Sequence, residues 1–496
     1  MADLFAGIGA VVSTQVLSRA LTFILNVLVA RLASPSAYGV GYVSLQLLSN
    51  LVLFVPKEGF RKVALRSPST KADLDGLQSS VNLGWMGSAS GAVAAGPLVV
   101  YWIRSSPDSG SRYEGAVLLV AIASVLEGFA EPFVVLTLAA QDFRRRAAAE
   151  AGAILVRTLC MLLFTLALDD VPLAFASSQM VYALVWFWWI AWPFVWQESQ
   201  WKPVTASSGL LSKHHRTLLV EFAAMVFIKL ALTEGEKMLL LVLFNEQQWG
   251  VFGLVSNLGS IILRLLFAPV EEIAYSVFSA PSVEEKQQQR TARLTLLRAL
   301  LLLQGGVGWL GLCFGPIFSH AAVRLVYGRE WAASEAPTVL AAYCAFLFSA
   351  SLNGILEAFM YSQCSPAWVR KCNFWQVGIS AVLIMVSWAG QSSGPIALVV
   401  ANSLAMLLRA TLGLIFAYDC LQPSWNELRL RPVGQLFGLL ALGSRMIAWL
   451  VLPLKEPWQT VVAVMSTAIA IASAGFVCKE ELFATVLAVK KSKEKV

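Results

Sequence analysis

The sequence predicts an all-α polytopic membrane protein with about 14 transmembrane helices. Of its 496 residues, 57% are hydrophobic and 14% are charged, whereas soluble domains carry about 25% charged residues. A membrane-spanning helix needs about 20 apolar residues, and the chain divides into apolar stretches of about this length. An ordinary soluble enzyme is therefore excluded, and we expect a multi-pass protein with little mass outside the membrane.

The apolar stretches place the helices in order, with short connections between them. Three connections, at 169–170, 245–249 and 390–394, leave room only for antiparallel hairpins. The predicted spans are 8–30, 41–56, 81–103, 115–139, 148–168, 171–196, 218–244, 250–268, 294–318, 337–361, 372–390, 394–417, 434–453 and 458–478.

The distribution of basic residues predicts the orientation of the helices. If both termini are cytosolic, the loops on that side hold 23 of the 37 Lys and Arg residues, and the opposite loops hold 6. Cytosolic loops of membrane proteins carry such an excess of Lys and Arg, so we expect both termini in the cytosol. The net charge of +7 then reflects contact of basic loops with anionic membrane lipid, and no nucleic acid partner is expected.

A short internal repeat divides the chain into two halves. The segment 38–44 (Tyr-Gly-Val-Gly-Tyr-Val-Ser) follows the first helix, and 249–256 (Trp-Gly-Val-Phe-Gly-Leu-Val-Ser) follows the seventh. Repeats six helices apart share one orientation, which predicts two pseudo-symmetric six-helix lobes around a central cleft, although a match this short also arises by chance. The predicted divisions are an N-lobe at 1–196, a cytosolic linker at 197–217, a C-lobe at 218–417, two extra helices at 418–478 and a basic cytosolic tail at 479–496.

Residues that would indicate catalysis or metal binding are few. None of the seven cysteines forms a Cys-x-x-Cys pair, and three histidines (His214, His215 and His320) are too few for a metal centre. The sequence contains no phosphate-binding loop, nucleophile elbow or zinc-protease motif. We therefore expect no cofactor and no metal, and a transporter rather than an enzyme.

Charged and amide side chains at membrane depth form a candidate binding cleft. A charge at the bilayer centre costs at least about 2.5 kcal/mol, so each one indicates a role. The cluster favours a hydrated cleft whose cations hold an anionic headgroup; the alternative is a set of ion pairs that only fix packing, such as Arg19 with Glu234 or Glu236. The candidate cleft residues are Arg19, Asn26, Lys229, Lys237 and Arg264.

Two further pairs of carboxylates are candidates for structural or coupling roles. Glu127 and Glu131 lie one turn apart on the fourth helix, where they could share a proton or serve as partners for Arg157 on the fifth. We favour the structural role. Glu271 and Glu272 lie at the end of the eighth helix.

The cytosolic end of the second helix is basic. In a helix, Lys57 and Arg61 share one side with Lys62 beside them. One interpretation is an anchor at the membrane interface. The other is a site where a phosphorylated lipid headgroup first enters, because Lys and Arg are the usual partners of phosphate.

These polar segments together resemble the Rft-type oligosaccharide translocation proteins of eukaryotes. The specific motifs are Leu-Thr-Glu-Gly-Glu at 232–236 and Pro-x-Glu-Glu at 269–272, and the match runs in order from residue 15 to about 410. Lys62 and Lys237 stand where the family would have Arg. The resembling segments are 19–26, 57–62, 127–133, 232–237, 257–260, 264–272 and 353–357.

The resemblance implies membership of the multidrug/oligosaccharidyl-lipid/polysaccharide exporter superfamily, with 12 core helices in two lobes. It implies a multi-pass protein of the endoplasmic reticulum membrane that acts in N-glycan assembly. The implied substrate is dolichyl-diphosphate Man5GlcNAc2, a lipid-linked oligosaccharide, flipped from the cytosolic to the lumenal leaflet by alternating access. The implied partners are this lipid, membrane lipid and, in an accessory role, N-glycan assembly enzymes.

Three other functions compete with a flippase. A non-transporting accessory protein of lipid-linked oligosaccharide assembly would share the family, and a multidrug or small-solute antiporter would share the fold. An antiporter for cationic drugs should have an acidic cleft, whereas the candidate cleft is slightly cationic. A polytopic glycosyltransferase would need a large lumenal loop with acidic ligands, and the longest loop on that face is about 20 residues.

Overall fold

The described part of the chain is helical and contains no strand. The computed structural model describes residues 22–66, 74–105, 111–140, 142–194, 213–279, 286–423 and 440–447, together with 202, 438, 465 and 467–468. The long helices are α1 (Thr22–Leu32), α2 (Pro35–Phe60), α3 (Leu74–Ser105), α4 (Ser111–Ala139), α5 (Phe143–Leu168), α6 (Val171–Phe194), α7 (Lys213–Leu243), α8 (Glu246–Ser279), α9 (Lys286–Tyr327), α10 (Ala336–Gln363), α11 (Pro366–Ala389) and α12 (Pro395–Leu421).

The composition and surface of these helices are those of a multi-pass membrane protein. Within the described ranges, 9 helices are long and apolar enough to cross a membrane. Large apolar side chains lie on the helix surfaces, and Val93, Leu325 and Phe374 are each 77% exposed. Soluble proteins rarely expose apolar surface on this scale, so these side chains face lipid.

Helices α1 to α12 follow the predicted spans in order, and α8 and α9 differ most from them in length. Helix α8 was predicted at 250–268 and continues to Ser279, so Glu271 and Glu272, which were predicted at its end, lie within it. Helix α9 was predicted at 294–318 and begins at Lys286 instead, because the polar residues before it, rich in Lys, Gln and Arg, continue the helix. The predicted spans at 434–453 and 458–478 lie mostly outside the described residues, and the tail at 479–496 lies wholly outside them. The total of 14 helices therefore stays a prediction.

The short connections are held by local hydrogen bonds. Asp170 caps α6, where its Oδ1 accepts a hydrogen bond of 3.0 Å from the backbone N–H of Leu173. Asn245 caps α8 in the same way, through the N–H of Gln248 at 3.0 Å. Helices α5 and α6 pack against each other as a hairpin, as the sequence predicted. The cap at Asn245 fixes only the start of α8, and the predicted hairpin of α7 with α8 stays a prediction.

Contacts along the chain define two units, Met1–Gly250 (the N-terminal unit) and Val251–Val496 (the C-terminal unit). The N-terminal unit has a core of α4, α5 and α6 in which Phe133 packs against Trp186 and Ile190. The C-terminal unit has a core of α8, α9, α10 and α12 in which Phe278 packs edge-on against Phe359, with ring centroids 5.1 Å apart. Helix α7 groups with the N-terminal unit, and the lobe divisions at 1–196 and 218–417 stay a prediction.

The two glycines that mark the internal repeat lie against each other. A Cβ atom added at Gly39 would lie 2.2 Å from the carbonyl oxygen of Glu246, and one added at Gly250 would lie 1.8 Å from that of Pro35. The start of α2 and the start of α8 therefore cross backbone against backbone, which only glycine permits. Both repeat motifs contain a glycine at this position, and a glycine is what this close crossing requires.

Substitution at this crossing should destabilise the protein. Gly250→Ala inserts a methyl group where there is no room, and we expect a loss of about 1–3 kcal/mol or more in the free energy of unfolding. Gly115→Ala is the matched control, because nothing lies within 4 Å of its added Cβ. In α4 the control should be neutral or stabilising by up to about 1 kcal/mol. Thermal unfolding of the purified chain in detergent measures both, and equal melting temperatures for the two variants would contradict the crossing.

Candidate functional site

The C-terminal end of α2 and the first residue after it form a ladder of two ion pairs with α4. Lys57 Nζ lies 2.6 Å from Glu127 Oε1, and Arg61 Nε donates to Glu131 Oε2 at 2.7 Å while its Nη2 donates to the other carboxylate oxygen. Lys57 and Arg61 are four positions apart in the sequence, as are Glu127 and Glu131. The two cations therefore lie one helical turn apart, and so do the two carboxylates. The last turn of α2 and the helix Arg61–Arg66 are thereby fixed to α4.

The ladder gives the two carboxylates of α4 partners other than the expected one. Glu127 and Glu131 are both buried, and a buried carboxylate needs a paired cation. The sequence suggested Arg157 as that cation, whereas the structure places Lys57 and Arg61 there. No local sequence pattern indicates this pairing, because 70 residues separate the two partners of each ion pair.

A third ion pair joins α2 to α7. Lys229 Nζ contacts a carboxylate oxygen of Glu58, the residue next to Lys57. The side chain of Lys229 is still 43% exposed, so the pair does not bury it. Glu58 was not singled out as a site residue from the sequence.

A chain of polar side chains crosses the N-terminal unit at membrane depth. Arg157 on α5 donates to Gln46 Oε1 at 3.0 Å, and Gln46 Nε2 donates to Asn50 Oδ1 at 3.0 Å. Asn50 Nδ2 donates to Glu234 Oε1 on α7 at 3.1 Å, and Lys237 Nζ donates to the second oxygen of that carboxylate at 2.9 Å. The chain runs from one cation to another through two amides and one carboxylate.

The two amides of this chain were not predicted from the sequence as site residues. Gln46 and Asn50 lie one turn apart on α2, and Lys57 and Arg61 lie two and three turns further along the same face. Polar residues that recur with helical period along an apolar span are the pattern that could have identified them.

Lys237 resembles Lys229 in remaining partly accessible, with 39% of its side chain exposed.

Four other predicted residues lie in the N-terminal unit. Asn26 is half-buried on α1. Arg19 falls outside the described residues, and of Lys62 only the helical backbone is described. Glu236 is half-buried on α7.

The predicted site residues of the C-terminal unit differ in their surroundings. Arg264 is exposed and bonds only to its own helix among the described residues, through the backbone oxygen of Ser260 at 3.3 Å and the Ser260 hydroxyl. It lies in Leu263–Phe267, a π-helical stretch of α8, and such stretches often occur at functional sites. No described carboxylate neutralises it.

The two carboxylates that follow in α8 are also unlike each other. Gln304 Nε2 donates to Glu271 Oε1 at 2.8 Å and to the backbone oxygen of Ser351 at 3.2 Å, whereas Glu272 is exposed. A Cβ added at Gly354 would lie 1.8 Å from Glu271 Oε1, so the carboxylate lies directly on the backbone of α10. One residue away, Asn353 Nδ2 donates to Glu357 Oε2 at 2.8 Å.

Within the described residues, no group of three or more His, Cys, Asp or Glu side chains is arranged to hold a metal ion. The groups that the structure brings together at the site are cations, carboxylates and amides. Such a set can bind a charged phosphate and hydroxyl groups by charge-assisted hydrogen bonds.

Comparison with known proteins agrees with the resemblance seen in the sequence. The profile of the Rft protein family (Rft-1) matches residues 3–488. The "Man(5)GlcNAc(2)-PP-dolichol translocation protein RFT1" of Mus musculus is 29% identical over 465 residues, which cover 87% of this chain and 85% of the relative. The protein of the same name from Xenopus tropicalis is 28% identical, covering 81% and 79%.

Solved structures show the same fold at low identity. "Lipid II flippase MurJ, inward closed conformation" superposes with a TM-score of 0.65 at 12% identity, covering 94% of this chain and 99% of that one. An inward-facing multidrug resistance transporter of the MATE family and MOP superfamily gives a TM-score of 0.54 at 11% identity, covering 81% and 96%. This chain therefore has the helical fold of these two transporters, while the total of 14 helices and the orientation of the termini stay predictions.

Removal of one partner from the ladder should destabilise the protein more than removal of both. Glu131→Met leaves Arg61 as a buried unpaired cation, and we expect a loss of about 3–5 kcal/mol in the free energy of unfolding. The double variant Arg61→Met, Glu131→Met should recover most of that loss, because an apolar pair replaces the ion pair.

The matched control for this cycle is Arg144→Met, which removes an exposed arginine of α5. It should change stability by less than about 0.5 kcal/mol. Denaturation of wild type, Glu131→Met, Arg61→Met and the double variant in one detergent supplies the cycle, with Arg144→Met measured beside them. Additive losses in the double variant would show that the two side chains are not coupled.

Proposed function

The chain belongs to the Rft protein family, and we propose that it moves dolichyl-diphosphate Man5GlcNAc2 from the cytosolic to the lumenal leaflet of the endoplasmic reticulum membrane. The observation that carries this proposal is the family match over residues 3–488, because relatives of similar length are named as translocation proteins for this lipid. Translocation changes no covalent bond, so the proposal assigns no catalytic residue and no cofactor.

The barrier that such a protein removes is the desolvation of the glycan. Each unpaired hydroxyl transferred into hydrocarbon costs about 2–7 kcal/mol, so seven sugars would cost tens of kcal/mol. The polar chain across the N-terminal unit supplies amide and charged groups at membrane depth. Groups of this kind replace water for the sugars and the diphosphate while the polyprenyl tail stays in lipid.

We assign the diphosphate to the cations that retain accessible surface. Lys229 and Lys237 each have one described carboxylate partner and remain partly exposed, and Arg264 is exposed. Arg19 and Asn26 complete the set proposed from the sequence. Lys57, with Arg61 and Lys62 beside it, is proposed as the group that first meets the headgroup at the cytosolic face, although Arg61 already donates two hydrogen bonds to Glu131.

The topology that goes with this function is also a proposal. Both termini are cytosolic, the chain has about 14 helices, and lobes at 1–196 and 218–417 alternate access to a central cleft. The bias of 23 against 6 basic residues between the two faces supports the orientation. The likeness to MurJ supports the fold that this topology needs.

A second candidate function is an accessory role without transport. The observation that favours it is the pairing of Lys229 with Glu58 and of Lys237 with Glu234, which is what a purely structural network would contain. In that role the chain would bind or position lipid-linked oligosaccharide, or contact N-glycan assembly enzymes. A multidrug antiporter finds no comparable support, because the groups proposed to bind the substrate include cations and an antiporter for cationic drugs should have an acidic cleft.

A reconstituted transport assay separates the two functions. The purified chain is placed in liposomes with dolichyl-diphosphate Man5GlcNAc2, and transbilayer movement of the lipid is followed. Arg264→Gln should reduce the rate at least about tenfold, because a hydrogen bond to a charged group contributes about 1.5–3 kcal/mol. Arg264 has no described carboxylate partner, so this change should leave the fold intact.

Arg144→Gln is the matched control, since it also removes an exposed arginine, and it should move lipid at the wild-type rate. Absence of movement above empty liposomes, with folded wild-type protein, would favour the accessory function. Movement that is equal in wild type and Arg264→Gln would leave the transport function in place and remove Arg264 from the site.

A further inference from the structure

A pocket in the N-terminal unit lies at the opposite end of the helices from the ion-pair ladder. Its accessible volume is about 510 Å³, within the range of about 300–1,000 Å³ of small-molecule sites. Ser36, in the first turn of α2, lies on its wall, whereas Lys57 lies 21 residues further along, about 30 Å at the rise of a helix. In the proposed orientation this end faces the lumen.

The lining of the pocket combines aromatic rings with planar polar groups. Tyr101 and Trp102 of α3 contribute rings, as do Tyr113 of α4 and Trp249 of α8. Asn245, in the connection between α7 and α8, contributes an amide, and Glu246 and Gln247, in the first turn of α8, contribute a carboxylate and a second amide. Among the described residues that line it there is no Lys and no Arg.

This chemistry fits a neutral sugar and does not fit a diphosphate. A pyranose ring presents apolar C–H faces that stack on aromatic rings, and it presents adjacent hydroxyls that bond to amide and carboxylate groups. An anion would require cations or a cluster of N–H donors. The ladder at the other end of α2 contains the cations Lys57 and Arg61, so the two ends suit different parts of one amphiphile.

The walls are held in place before any ligand arrives. Trp102 Nε1 donates to Ser44 Oγ at 2.9 Å, and Trp249 Nε1 donates to the backbone oxygen of Phe244 at 2.8 Å. Asn245 is fixed by its cap on Gln248. Bonds of this kind orient the rings, so that binding loses little side-chain freedom.

Tyr101 and Gln247 remain available at the rim. The Tyr101 ring stands nearly perpendicular to Trp102, at 70° with centroids 5.5 Å apart, and the residue is 56% exposed. Gln247 is exposed as well. Single tyrosines and tryptophans at a membrane interface face the headgroups, whereas these rings converge with three polar side chains on one concavity.

We propose that this pocket binds the neutral sugar end of the translocated lipid on the side where the lipid is delivered. The proposal rests on the proposed function for the identity of the sugar. Its role would be to hold the glycan after the diphosphate leaves the cations, which favours release into the lumenal leaflet.

The test uses a probe that contains the glycan alone. Free Man5GlcNAc2, without diphosphate or lipid, is titrated into the purified full chain in detergent micelles, and binding is followed by saturation-transfer NMR. Wild type should bind saturably, and inorganic pyrophosphate should not compete. Tyr101→Ala should weaken binding about tenfold, and Gln247→Ala should weaken it severalfold.

The controls are matched in side chain and exposure. Tyr418→Ala removes a tyrosine of α12 that is 58% exposed, and Gln391→Ala removes an exposed glutamine from the connection between α11 and α12. Both should bind the glycan as wild type does. Equal binding by Tyr101→Ala and Tyr418→Ala would overturn the site, and so would the absence of saturable binding to wild type.

The outcome is independent of the transport assay. Saturable binding that Tyr101→Ala weakens supports the site even if wild type moves no lipid in liposomes, in which case only the proposed function fails. Transport by wild type without glycan binding overturns the site and leaves the proposed function in place.

Discussion

Helix α2 carries a stripe of amide and charged side chains through an apolar bundle, and each of them needs a partner because hydrocarbon supplies no hydrogen bonds. Every described member of the stripe has one. Gln46 and Asn50 bond to α5 and α7, and Lys57 and Arg61 pair with carboxylates of α4. The positions of α4, α5 and α7 around α2 follow from satisfying these groups. The apolar contacts between helices fill the remaining space.

The same constraint relates packing to function. Arg61 has two donors committed to Glu131, and its contribution is to the fold. Lys229 and Lys237 keep about two fifths of their side-chain surface accessible, as the proposed binding of a diphosphate requires. Arg264 has only its own helix as a described partner. The cations thus form a series from structural to accessible, and the accessible ones are those assigned to the headgroup.

The sequence predicted the helices well because hydropathy is a local property that lipid enforces on each span separately. It also identified Gly39 and Gly250, although it could not show that the two glycines touch. Pairings failed where they depend on tertiary packing: Glu127 and Glu131 meet α2 rather than Arg157 on α5. The pocket at the start of α2 could not be predicted for the same reason, because residues near positions 36, 101, 113 and 247 meet only in the folded unit.

Cations that are paired within the bundle are also proposed to bind the diphosphate, and the Glu58–Lys229 pair provides the most direct test of this role. The double variant Glu58→Gln, Lys229→Met removes both charges together, so no unpaired charge remains to disturb the fold. Its melting temperature and its rate of lipid movement in liposomes are measured side by side with wild type. The account predicts a nearly unchanged melting temperature and a rate reduced at least about tenfold. A rate equal to that of wild type would contradict it.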